Sequence, residues 1–84
     1  MDANIAFLRR LGLPPKVAGT CTIALECPDI FELANGDFAI IGKDITEISA
    51  TRLPPDAGCG PDERVICIPR KTLVLAKADI PDRV

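Results

Sequence analysis

Apolar and polar positions alternate most regularly between Cys27 and Ile45, in the run C-P-D-I-F-E-L-A-N-G-D-F-A-I-I-G-K-D-I. Asn35-Gly36 stands between two β-rich segments, and that dipeptide suits a two-residue type I′ turn because both central residues of such a turn take positive φ. The pattern therefore predicts a hairpin in which Leu33 faces Phe38, Phe31 faces Ile40 and Ile30 faces Ile41. Because side chains alternate across a strand, Phe31, Leu33, Phe38 and Ile40 are expected on one face, the core. The other face reads as solvated near the tip and apolar at its base, where Ile30 and Ile41 stand. A lone hairpin is marginal in water, so further strands or helices must cover it.

Before the hairpin, residues 2–11 predict a short helix. Asp2 serves as N-cap, Ile5, Phe7, Leu8 and Leu11 form an apolar stripe, and Gly12 ends it ahead of Pro14 and Pro15. A helix of this length is unstable alone and must dock, on its own hairpin or, through Phe7 and Leu8, on a second chain. Thr20–Leu25 suits a strand. After the hairpin, Asp44-Ile45-Thr46-Glu47 fits a capping pattern and predicts a turn or two of helix ending before Pro54. Pro54 to Glu63, with its prolines and glycines, reads as a surface loop. Arg64–Ile68 predicts a strand covered on both faces. Residues 70–78 read either as a returning strand or as a helix with Pro69 at its first position, and the helix is preferred. The tail, 79–84, reads as frayed. The whole chain, 1–84, is thus expected to be one α+β domain: residues 1–16 a helix and linker, residues 17–78 a small antiparallel sheet built on a central Asn-Gly hairpin with short flanking helices.

Composition narrows the chemistry. The chain has 84 residues, 48% of them hydrophobic, and a net charge of −2. So large an apolar fraction in so short a chain suggests surface buried against a partner. The near balance of charge argues against direct nucleic-acid binding, which draws on a basic excess. No apolar run is long enough for a bilayer span, and no hydrophobic stretch follows Arg9-Arg10 as a leader would require, so a cytoplasmic setting without membrane contact is expected. The absence of His removes Ser-His and Cys-His nucleophiles. The carboxylate pairs, Asp29 with Glu32 and Asp62 with Glu63, read as solvated surface. No catalytic residue is expected, and no cofactor.

The four cysteines offer the alternative. Cys21, Cys27, Cys59 and Cys67 could together hold zinc, yet their C-x5-C and C-x7-C spacings miss the short knuckles of structural zinc sites. Free thiols are the preferred reading, with Cys67 a buried hydrophobe and Cys59 exposed but unactivated among acidic neighbours.

The run from Cys27 to Gly42, with L-P-P-D-A-G-C-G-P-D-E-R-V-I-C-I-P-R after it, resembles small actinobacterial proteins of unassigned function, over about residues 26–76. Such proteins are often encoded beside helix-turn-helix regulators, so the resemblance implies a regulatory partner and transfers no catalytic residue. The function expected is a non-enzymatic protein–protein interaction module, with a protein partner or a homodimer as its complex and Phe7, Leu8, Ile30 and Ile41 as contact residues. A thiol-based zinc or redox protein is the alternative.

Overall fold

The computed structural model describes residues 5–21 and 27–84. The fold is α+β: a three-stranded antiparallel sheet and a two-stranded one, with short helices between and after them. In chain order the elements are β1 (Phe7–Arg10), α1 (Pro15–Ala18), β2 (Asp29–Leu33), β3 (Phe38–Ile41), β4 (Lys43–Asp44), α2 (Thr46–Ser49), β5 (Ile66–Cys67) and α3 (Arg70–Ala76), which runs into a 3-10 turn at Lys77–Asp79. Sheet order is β1-β2-β3 in the larger sheet and β4-β5 in the smaller.

The expected N-terminal helix is instead strand β1. The two arginines show why: neighbours on a strand point to opposite faces, and each here meets its own acid. Arg9 Nε donates to Glu32 Oε1 at 2.7 Å on one face, while Arg10 forks onto both Asp29 oxygens at 2.9–3.1 Å on the other. A docked strand that also gains ladder hydrogen bonds wins over a helix too short to stand alone. Asp2, the expected cap, and most of the expected Thr20–Leu25 strand lie outside the described residues. The segment expected as linker forms α1, with Pro15 at its first position and Gly19 closing it at φ 76°.

Strands β2 and β3 pair antiparallel, but one residue away from the expected register: Ile30 faces Ile40, Phe31 faces Ala39 and Glu32 faces Phe38. The connection has three residues. Gly36 N–H donates to Leu33 O, Leu33 N–H donates to Asp37 O, and Gly36 alone takes positive φ, 92°. This is a type I turn followed by a glycine bulge, which spares Asn35 the left-handed conformation. The Asn35 side chain is used differently, its Oδ1 accepting the Asp37 N–H at 2.9 Å. As a result Phe38 and Ile40 move to the face of Ile30, and the expected core face of Phe31, Leu33, Phe38 and Ile40 is split.

The core lies on that Ile30 face. Leu11, Ile30 and Ala76 are buried together with Ile68 packed against them, so α3 covers the sheet there. The C-terminal turn locks this arrangement. Asp79 Oδ2 accepts the Gly12 N–H and Asp79 O accepts from Arg9 Nη2, both at 2.7 Å; residue 79 is therefore docked where fraying was expected. Residues 70–76 are helical, with Pro69 as N-cap, and 54–63 form a loop with neither helix nor strand.

In the smaller sheet, β5 has only two residues, both exposed, rather than a strand covered on both faces. Its order comes from hydrogen bonds. Thr46 Oγ1 donates to Asp44 Oδ1 at 2.7 Å and accepts the Val65 N–H at 2.9 Å, and Ile45 N–H donates to Val65 O. Asp44 Oδ1 also accepts the Thr46 N–H, but the N-cap of α2 is Ile45, one residue later than the capping pattern predicts, and no side chain caps it.

Candidate interaction surface

Cross-strand neighbours share a face, and the register assigns the paired side chains of the larger sheet, leaving out Leu8 at the irregularity in β1. Arg9, Leu11, Ile30, Glu32, Phe38 and Ile40 lie on the α3 side; Phe7, Arg10, Asp29, Phe31, Leu33, Ala39 and Ile41 lie on the other. That second face is an organised stack. The Phe7 and Phe31 rings meet edge to face with centroids 5.1 Å apart, the Arg10 guanidinium sits 5.2 Å over Phe31, and the same guanidinium grips Asp29. The hydrogen bonds that Arg10 donates to Asp29, and the charge of that carboxylate, raise the Arg10 pKa above the ordinary arginine value.

The four expected contact residues separate on this scaffold. Ile30 is 4% exposed and belongs to the core, because α3 closes over it. Ile41, across the β2–β3 pair from Asp29, remains 51% exposed. Phe7 and Leu8 are 58% and 64% exposed on the β1 edge, where the pairing with β2 is irregular between Phe7 and Arg9. Phe7 and Ile41 thus share a face but occupy opposite corners of it. Sequence reasoning missed Phe38 and Ile40, both exposed on the β3 edge; the signal that could have found them was the three-residue loop permitted by Ala34-Asn35-Gly36.

The cysteines are dispersed. Cys21 and Cys27 form a disulfide-like pair with Cα atoms 4.4 Å apart, in place of two free thiols. Cys67 is exposed rather than buried, since β5 pairs on one side only with β4. Cys59 is half-buried in an open depression of about 450 Å³ that it lines with Leu53, Gly58, Glu63, Arg64 and Val65. Among the described residues no group of three or more Cys, Asp or Glu stands close enough to hold a metal ion, and no helix is long and apolar enough to cross a membrane.

Packing defines the surface quantitatively. The chain exposes 6751 Å², against roughly 4,900 Å² for a compact monomer of its mass. Its radius of gyration is 14.1 Å, against about 12 Å for a compact domain of this length. Compared with family models, curated proteins and solved structures, the chain finds no match.

Proposed function

We propose that this chain is a non-enzymatic protein–protein interaction module. The observation that carries the reading is the set of large apolar side chains left exposed at the sheet margins: Phe7 and Leu8 on β1, Phe38, Ile40 and Ile41 on β3. Scattered exposed apolar residues are ordinary, but apolar edges on both sides of one small sheet favour association. The partner is a protein, another chain or a second copy; a helix-turn-helix regulator is the class that the resemblance implies. The chemistry in the described residues fits this role, since the charged pairs Arg9–Glu32 and Arg10–Asp29 tie strands together instead of facing a cavity.

The test is native mass spectrometry of the untagged protein from a reducing lysate, alongside a triple variant Phe7→Asp, Leu8→Asp and Ile41→Asp. The expected result is a complex heavier than 9.0 kDa for the wild type and a folded monomer for the variant. A wild type that flies only as the bare chain, or a variant that fails to fold because these side chains are core, overturns the reading.

A further inference from the structure

The edge of β3 carries a more specific message. In an antiparallel ladder, residues alternate between bonding the neighbouring strand and pointing their N–H and C=O the opposite way. Leu33 N–H bonds Asp37 O and Ile45 N–H bonds Val65 O, and the registers Phe31–Ala39 and Lys43–Cys67 continue those two ladders. The odd-numbered residues from 37 to 45 therefore face β2 and then β5. The even-numbered ones, Phe38, Ile40 and Gly42, direct their backbone groups outward, and none of them has a backbone partner in a turn or loop among the described residues. Phe38–Ile41 carries no charge, no proline and no bulge, the devices that ordinarily protect a sheet edge.

We propose that two copies of this chain pair their β3 edges antiparallel about a two-fold axis at Ile40, joining two three-stranded sheets into one continuous sheet. This rests on the interaction-module reading and names its partner. The register follows from charge. Outward-pointing residues must meet outward-pointing residues, so the axis can stand at residue 39, 40 or 41 among the central alignments. At 39, Asp37 meets Ile41 and Asn35 meets Lys43; at 41, Asp37 meets Ile45 and Phe38 meets Asp44. At 40, Asp37 meets Lys43 of the second copy, Ala39 meets Ile41, Ile40 meets itself and Phe38 meets Gly42. Only this alignment opposes the two charges and keeps apolar against apolar, and symmetry makes every contact twice. Asp37 and Lys43 are both exposed and lack an ion-pair partner among the described residues. Gly42 brings no side chain to crowd Phe38. An interface of this kind is isologous, the commonest basis of homodimers.

Sedimentation equilibrium and native mass spectrometry on the full chain test the pairing with three variants. The wild type is expected to dimerise. Lys43→Glu sets Asp37 against a like charge twice and weakens the dimer by about tenfold. The charge swap, Asp37→Lys with Lys43→Glu, restores it, which a purely structural role for either residue does not predict. Ile40→Pro removes an outward N–H while leaving the β2 ladder intact, an edge position where proline is tolerated, and is expected to be monomeric. A wild-type dimer indifferent to Lys43→Glu and to Ile40→Pro overturns this interface while sparing the broader reading. A complex whose mass requires a different chain does the same. A wild type that is monomeric at high concentration and binds no other chain overturns both.

Discussion

The two sheets of this small domain are ordered by different physics. The larger one is held by burial: Leu11, Ile30, Ile68 and Ala76 come from distant parts of the chain and meet under α3. The smaller one has little to bury, since Ile48 and Ile66 are exposed. Its order rests instead on Thr46, which joins Asp44 to Val65 and so ties β4, α2 and the approach to β5. A domain this size has a total stability of roughly 4–12 kcal/mol, so the loss of either kind of support is a large fraction of the whole. Burial should fail globally and hydrogen bonding locally.

Leu11→Ala breaks the first half of the comparison. Leu11 is buried against Ile30 and Ala76, and truncating a buried leucine costs about 2–5 kcal/mol. Urea denaturation should move the single transition of the whole domain; a loss confined to β1 would show that the core is not cooperative. Gly42→Ala sharpens the join between the halves. A Cβ at Gly42 would stand 2.7 Å from Cys67 O and 2.8 Å from Ile68 Cγ2, so the backbone must give, at about 1–3 kcal/mol. Amide exchange should accelerate at Lys43 and Ile45 before it does at Leu33.

The smallest effect belongs to acid. Hydrogen bonds from the Thr46 hydroxyl and N–H, and then the charge of Arg64, hold the Asp44 carboxyl below the ordinary aspartate pKa. A carboxyl whose folded pKa lies below its unfolded one adds stability above the unfolded value, and that contribution disappears as pH falls through the folded value. Exchange at Thr46 and Val65 should therefore quicken in acid while Leu33 stays protected, and Asp44→Asn should remove the acid dependence. Equal acid sensitivity in both sheets would erase the distinction between them.

Features set by a few adjacent residues were legible in the sequence. A short helix does follow Asp44, a helix does follow Pro69, and the glycine of the Asn35-Gly36 pair does take positive φ. Features set by distant residues were not. Whether Phe7–Arg10 is helix or strand depends on Glu32 and Asp29 across the sheet and on Asp79 at the far end of the chain. The β2–β3 register depends on a choice between two loops that share the same four residues, and that choice moved Phe38 and Ile40 to another face. Among the contact residues, exposure at Phe7, Leu8 and Ile41 matched the expectation, whereas Ile30 could be placed only by knowing where α3 comes to rest.

The clasp at Asp79 also bears on synthesis. Leu11 and Gly12 leave the ribosome early, yet Ala76 and the Asp79 carboxylate that complete their surroundings emerge some 65 residues later. Contacts so distant in sequence are slow to form and leave apolar surface bare in the interval. A chain made only as far as the 54–63 loop lacks α3, so Ile30 stays uncovered until Ala76 and the 3-10 turn have been made and have docked.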